Sequence, residues 1–205
     1  MKYDEINNPK ELFNFMEENI KYGIYGTNHK IYDNFSSSNS SEFQIACQKY
    51  YALCDTKRLL KHHYGVCWDQ VEFEREWFLK HNFKVKTYFI WFYFDSSTNN
   101  YMTHTFLIYK GDNKYYLFEH SDYKNRGIYE FSNIYDAISY AKDYFINDNR
   151  EYGNKMDDDI LNHLEIIEYE KPKSLISSSQ FLTLILNSKV IYRNGNYDKS
   201  VISFD

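Results

Sequence analysis

Aromatic and β-branched residues recur along three consecutive segments in the middle of the chain. The segments run from Lys84 to Phe94, from Met102 to Lys110 and from Asn113 to Glu119. This enrichment, with alternation at a period of two, is typical of strands. Gly111-Asp112, between the second and third segments, predicts a two-residue hairpin loop. The pattern therefore predicts a block of neighbouring antiparallel strands.

Helical periods flank this block. Asn8 followed by Pro9 predicts the start of a first helix. Apolar residues at three- and four-residue spacing predict a second helix, which begins near residue 40 and buries Cys47 and Cys54. Further elements are predicted in the rest of the chain: helices over 67–81 and 132–145, a strand over 164–169, and a short helix with one or two strands in the tail, the last over 201–204.

The order of these elements predicts an α+β fold, because strands follow one another instead of alternating with helices. The N-terminal helices are expected to pack on the antiparallel sheet. The 205 residues suit one domain, 1–205, with a chemical core over about 41–131 and the terminal elements as additions. The serine-rich stretch over 36–41 predicts a loop inside that domain.

Composition and charge narrow the functional classes. The formal net charge is −5, and without a basic patch we expect no nucleic-acid partner. The N-terminus lacks the apolar core of a signal peptide, and no apolar run is long enough for a membrane span. The three cysteines lack the spacing of a disulfide framework. Free thiols fit a reducing compartment, so a cytoplasmic location is expected.

Cys67 is the first candidate for chemistry. It follows Gly65 by two residues and directly precedes the predicted amphipathic helix. A thiolate in the first turn of a helix is stabilised by unpaired backbone N–H groups and by the helix dipole. The same N–H groups can stabilise an oxyanion. This position favours a nucleophilic role for Cys67 over a purely structural one.

A nucleophilic cysteine requires a base and a group that orients the base. His104 opens the second predicted strand. A loop formed by Gly111-Asp112 would place Glu119 directly opposite His104, on the same face of the sheet. Glu119 could then accept the Nδ1–H of His104 and hold its tautomer. Asp122 is the alternative orienting carboxylate.

These motifs resemble those of the transglutaminase-like superfamily, which has a papain-like fold. The resemblance covers about residues 65–131. It rests on Gly-x-Cys-Trp-Asp at a helix start, Thr-His-Thr on a strand and Tyr-Tyr-Leu-Phe-Glu on the next strand. The family places cysteine, histidine and aspartate in this order. Cys67 and His104 match the pattern, whereas Glu119 stands where the family usually has aspartate.

The resemblance implies acyl transfer through a thioester, with Cys67, His104 and Glu119 as the catalytic triad. The expected substrate is a peptide or protein, and hydrolysis of peptide or carboxamide bonds is favoured over cross-linking. No cofactor or metal ion is expected. The second oxyanion donor is not assigned; Tyr22 is a candidate. Trp68 is expected to pack the helix on the sheet, with a substrate contact as the alternative.

Other interpretations remain open at this point. A non-catalytic binding module of the same fold would use the aromatic surface to hold a peptide. A metal site would draw on Glu119, His120 and Asp122, but the paired-cysteine and His-Glu-x-x-His spacings of common zinc sites are missing from the sequence. A serine hydrolase is disfavoured because the chain has no Gly-x-Ser-x-Gly motif.

Overall fold

The computed structural model describes residues 2–33, 40–94 and 102–200, together with 202 and 204. Within these ranges the chain is mixed α+β, as predicted. Parts of the predicted serine-rich loop and of the last predicted strand lie outside the described residues. The helices are α1 (Pro9–Asn19), α2 (Ser40–Lys49), α3 (Thr56–His62), α4 (Cys67–Lys80), α5 (Ile134–Glu151), α6 (Asp158–Leu161) and α7 (Ser178–Leu186), with a short 3₁₀ turn at Tyr3–Glu5.

One large antiparallel sheet forms the centre of the fold, and two small two-stranded sheets lie outside it. In chain order the strands are β1 (Lys21–Tyr22), β2 (Ile24–Tyr25), β3 (Ile31–Tyr32), β4 (Tyr64–Gly65), β5 (Lys84–Phe92), β6 (His104–Gly111), β7 (Lys114–Glu119), β8 (Gly127–Phe131), β9 (Leu164–Glu168), β10 (Lys189–Arg193) and β11 (Asn196–Tyr197). The small sheets pair β1 with β4 and β2 with β3, and the large sheet has the order β11-β10-β9-β5-β6-β7-β8. The predicted strand block therefore lies inside it, flanked by strands from later in the chain.

The hairpin between β6 and β7 differs from the prediction. The loop is formed by Asp112-Asn113, because Gly111 pairs with Lys114. Both loop residues have positive φ angles, 48° and 61°, as a type I′ turn requires. The predicted loop contained Gly111, which tolerates positive φ angles. Asp and Asn also tolerate the left-handed region, so Asp112 and Asn113 can form the loop without glycine.

Helices α4 and α5 pack on opposite faces of this sheet. Phe73, Trp77 and Phe78 of α4 form one core cluster with the strand residues Leu107 and Phe118. The other face packs against apolar residues of α5 through the alternate strand residues, which are Tyr88, Ile90, Phe92, Phe106, Ile108 and Leu117. Burial of each large apolar side chain contributes roughly 1.5–3 kcal/mol, so both faces hold the two helices firmly.

The N-terminal helices confirm part of the prediction and correct another part. The Asn8 side chain caps α1 by accepting the Glu11 N–H. Helix α2 ends at Lys49 and does not reach Cys54, because the Cys54 N–H donates to a buried side chain of α4, Asp69. The additional helix α3 follows. Cys54 is nevertheless buried, and Cys47 is half-buried.

Among the described residues, the helices are too short or too polar to cross a lipid bilayer.

Candidate active site

Helix α4 begins at Cys67, as the sequence predicts, so the thiol lies in its first turn. The preceding residues form β4, which pairs in parallel with β1. A side chain at Gly65 would collide with Leu59 and Asp69, because a Cβ atom there would lie 2.8 Å and 2.9 Å from their side chains. Glycine is therefore required for the close turn that leads into α4.

Asp69 holds this turn in place. Its Oδ2 accepts the Val66 N–H at 2.9 Å, and its Oδ1 accepts the Cys54 N–H at 2.7 Å and the Tyr51 hydroxyl at 3.0 Å. Burial raises the pKa of Asp69 to about 6, although these hydrogen bonds oppose the shift. The side chain thus ties the start of α4 to the segment between α2 and α3.

Tyr22 is brought to Cys67 by the short parallel sheet, where it pairs with Gly65. Its hydroxyl hydrogen-bonds with the side chain and the backbone N–H of Cys67. Burial raises the pKa of Tyr22 well above its usual value, and negative charge on Cys67 raises it further. Tyr22 therefore remains a neutral O–H group beside the thiol.

His104 and Glu119 are in direct contact. His104 Nε2 lies 2.7 Å from Glu119 Oε2. This corrects the predicted use of Nδ1. The predicted direct pairing of His104 with Glu119 is also wrong. When the hairpin register is continued past its last observed pair, Glu119 lies opposite Phe106. Glu119 stays on the face predicted for it, because the register differs by two residues and not by one.

The His104 imidazole also faces the Cys67 thiol. Because Nε2 contacts Glu119, Nδ1 is the ring nitrogen left for the thiol. Burial by itself lowers the pKa of His104, but the Glu119 carboxylate and the hydrogen bond with Cys67 together raise it well above its usual value. The surroundings therefore favour the protonated, imidazolium form of His104.

Glu119 is buried and fully hydrogen-bonded, with 2% of its surface exposed. In addition to His104, the Tyr144 hydroxyl donates to Oε2 at 2.7 Å. The Ser121 hydroxyl and the Asp122 N–H donate to Oε1 at 3.1 Å and 2.9 Å. Four donors match the lone pairs of an ionised carboxylate. The glutamate carboxylate, which extends further from the backbone than that of aspartate, is thus held by hydrogen-bond donors at both of its oxygen atoms.

The sheet splits at this site. Pairing between β6 and β7 ends at Leu107 and Phe118. Beyond this last pair, on the side away from the hairpin loop, His104 still pairs with Ile90 of β5, and Glu119 pairs with Gly127 of β8. The two side chains therefore meet where their strands no longer share backbone hydrogen bonds. At this point of the sheet the start of α4, which packs on the opposite face from α5, contacts the imidazole through Cys67.

Asp122, the alternative orienting residue, does not bond His104 through its carboxylate. That carboxylate accepts the Asn125 amide at 2.7 Å and hydrogen-bonds with Asp148. His120 points away from His104 and contacts Gln70 instead. The Glu119, His120 and Asp122 side chains thus have separate partners, and among the described residues no His, Cys, Asp and Glu side chains group closely enough to hold a metal ion.

Trp68 packs the helix on the sheet, as expected. Its ring stacks on Phe181 at 4.2 Å and contacts Phe89 of β5. Two site residues were not predicted. Tyr144 lies three residues after Ala141 on the apolar face of α5, so the helical period could have identified it. Glu74 is buried two turns after Cys67; burial first, and then the Glu119 charge, raise its pKa well above its usual value.

The chain was compared with protein-family models, with curated proteins and with solved structures, and nothing matches it.

Proposed function

We propose that this protein is a cysteine-dependent acyl-transfer enzyme of the transglutaminase-like, papain-like type. The observation that carries the proposal is the buried chain of contacts from the Cys67 thiol through His104 to Glu119, with 2.7 Å between the last two side chains. Covalent acyl transfer of this type uses a nucleophile, a base and a carboxylate that orients the base, in contact in this order.

The order of elements supports the same class. The nucleophile opens a helix, the base opens the next-but-one strand and the carboxylate ends the strand that follows. This is the arrangement that the sequence motifs suggested. The catalytic roles below are part of the proposal.

In the acylation step, the Cys67 thiolate attacks the carbonyl carbon of a peptide or carboxamide. A carbon–sulfur bond forms, and the carbonyl electrons move to oxygen. His104, as the imidazolium, then gives its proton to the leaving nitrogen, and the carbon–nitrogen bond breaks. The amine leaves, and a thioester on Cys67 remains.

In the second step, water attacks the thioester while His104 accepts its proton. The carbon–sulfur bond breaks, and the products are a carboxylic acid and the regenerated thiolate–imidazolium pair. Only 4% of the Cys67 surface is exposed. We favour hydrolysis over cross-linking, because the bound acyl group already occupies the approach to the buried Cys67, and water needs less room there than the side chain of a second protein.

Two donors are proposed for the oxyanion. One is the Cys67 backbone N–H at the start of α4, and the other is the Tyr22 hydroxyl. Both lie at the thiol, so an oxygen on the carbon bound to Sγ would be adjacent to both. Neutral donors of this kind contribute about 100-fold or more to acyl transfer.

Cysteine reactivity tests the proposal. Iodoacetamide alkylation at pH 6, followed residue by residue by mass spectrometry, should modify Cys67 at least ~100-fold faster than Cys54, because an ordinary thiol is almost fully protonated at that pH. Cys47 is a second internal control, since burial raises its pKa to about 12. The His104→Ala variant should bring the Cys67 rate close to that of the controls.

The Cys67→Ala variant completes the test. It should lose all hydrolysis of p-nitrophenyl acetate, used as a surrogate acyl donor, and should leave no thioester mass adduct. Its melting temperature should change by about 3 °C or less, since the lost sulfur is a small core volume. If Cys67 reacts no faster than Cys54, the proposed enzymatic function is wrong. A non-catalytic peptide-binding module of the same fold is then the remaining interpretation.

A further inference from the structure

Gln70 connects the first turn of α4 to the turn that carries the nucleophile. It is fully buried, and its Nε2 donates to the Gly65 carbonyl at 2.8 Å. Gly65 lies two residues before Cys67. The orientation of the Gln70 amide is determined by this contact, because a carbonyl oxygen only accepts and must therefore face the NH₂ group.

The other end of the Gln70 amide meets His120, which directly follows Glu119. Gln70 Oε1 lies 2.6 Å from His120 Nδ1, so Nδ1 carries the hydrogen and donates it. His120 is fully buried. Burial and the Arg126 charge lower its pKa to about 3, and the ring is therefore neutral at working pH, with a single tautomer.

Arg126 holds His120 on the side away from Gln70. Arg126 Nε donates to the His120 carbonyl at 2.6 Å, and Arg126 also pairs with Glu17 at 3.0 Å. Glu17 Oε1 lies 3.2 Å from His120 Nε2. Since the hydrogen of the neutral ring is on Nδ1, Nε2 has none to donate, and this contact is not a hydrogen bond. Phe13 packs against the ring edge-on, so the imidazole has little freedom to turn.

This connection spans the place where the backbone ladder is missing. Pairing between β6 and β7 stops at Leu107 and Phe118, so β6 does not hold the end of β7 at Glu119. The Gln70–His120 bond joins that strand end to the nucleophile helix. A single buried hydrogen bond can therefore set how the thiol side of the site lies relative to its carboxylate.

We propose that Gln70 and His120 are positioning residues of the acyl-transfer site. Their hydrogen bond holds the Gly65–Cys67 turn at the correct distance from Glu119, and so aligns the thiol with the imidazole that Glu119 orients. This inference rests on the proposed function, but it concerns residues that do not touch the reacting atoms.

The test compares two variants of His120 in the full chain. In His120→Asn, the Nδ2 group occupies nearly the position of Nδ1 and can still donate to Gln70. In His120→Leu, the volume is similar and the donor is lost. The readouts are the rate of Cys67 alkylation by iodoacetamide from pH 5 to pH 9, and kcat and KM for p-nitrophenyl acetate, with thermal unfolding as the check on folding.

We expect His120→Leu to slow alkylation at pH 6 about tenfold and to shift its pH midpoint upward, with a lower kcat and a similar KM. His120→Asn should stay within about threefold of the wild type. Gln70→Met, which removes the same bond from the other partner, should behave like His120→Leu. If His120→Leu does not fold, Gln70→Met tests whether the hydrogen bond positions the site.

Two results would overturn the inference. If Glu119→Gln slows alkylation but His120→Leu and Gln70→Met do not, the hydrogen bond does not position the site, while the proposed function stands. If Cys67 of the wild type reacts no faster than Cys54, the proposed function fails, and the positioning role fails with it.

Discussion

Glu119 lies diagonally across the sheet from His104, and the two side chains still meet at 2.7 Å. The hairpin turns at Asp112-Asn113, so the register, extended past its last pair, sets Glu119 opposite Phe106. Alternate residues along a strand share one face, and a shift of two residues keeps both groups on it. The glutamate side chain, one methylene longer than aspartate, suits this diagonal contact. The geometry thus explains why glutamate can stand at this position.

The first prediction separates the two carboxylates proposed as orienting groups. Glu119→Gln should lower the rate of p-nitrophenyl acetate hydrolysis by 100-fold or more, because an amide cannot stabilise the imidazolium of His104. Asp122→Asn is the matched control and should change the rate by less than about threefold, since its carboxylate contacts Asn125 and Asp148 instead. A larger loss in Asp122→Asn than in Glu119→Gln would reassign the role.

The second prediction concerns Tyr22. Tyr22→Phe removes one hydroxyl beside Cys67 and should slow hydrolysis of p-nitrophenyl acetate about 100-fold. Alkylation by iodoacetamide forms no tetrahedral oxyanion, so its rate should stay within about threefold of the wild type. Equal losses in both assays would mean that Tyr22 acts on the thiol itself and not on the oxyanion.

The third prediction concerns Asp69 and stability. Asp69→Ala removes three buried hydrogen bonds, to Val66, Cys54 and Tyr51. At about 1 kcal/mol or more for each bond, the free energy of unfolding should fall by about 3 kcal/mol. The melting temperature should then fall by roughly 10 °C, measured by calorimetry.

Asp55→Ala is the matched control for Asp69→Ala. The Asp55 side chain caps α3 by accepting the Arg58 N–H at 2.8 Å, and it is exposed. Loss of an exposed cap costs about 1 kcal/mol, so a fall of only about 3 °C is expected. Equal falls in the two variants would show that Asp69 does not organise the turn before Cys67.

The fourth prediction is a loss of stability as the pH rises from about 5 to 8.5. Burial raises the pKa of Glu72 to about 7, against the opposing Arg75 charge. Burial and the neighbouring Asp122 raise that of Asp148 to about 7, against Lys124. Each raised pKa favours the protonated form in the folded state. The stability it contributes is complete below the unfolded-state pKa and is lost as the pH rises through about 7.

Thermal unfolding across this pH range measures the effect. The melting temperature should fall as the pH rises, and His104, whose pKa is also raised, adds to the fall. Asp148→Asn should flatten the profile, because it removes one of the titrating groups. A melting temperature that rises toward pH 8.5 would contradict the assignment of Glu72 and Asp148 as neutral acids below pH 7.

Local signals were sufficient for much of the fold. Alternation in Lys84–Phe92 and its two neighbours identified the central strands, and the glycine before Cys67 identified the start of α4. These features depend on contacts within a few residues, which leave a pattern in the chain. The predicted extension of α2 to Cys54 failed because the backbone there bonds to Asp69, fifteen residues away, and such a competitor leaves no local pattern.

The chain alone was enough to identify the residue types for the proposed thiol chemistry and the face that Glu119 takes, because side-chain alternation tolerates a two-residue change of register. How these side chains come together in the site depends on the packing of distant elements. The splitting of β6 from β7, the Tyr144 hydroxyl on Glu119 and the Gln70–His120 bond all join residues that are distant in the chain. Their geometry is set by how helices and strands pack as whole bodies, and no spacing along the chain encodes it.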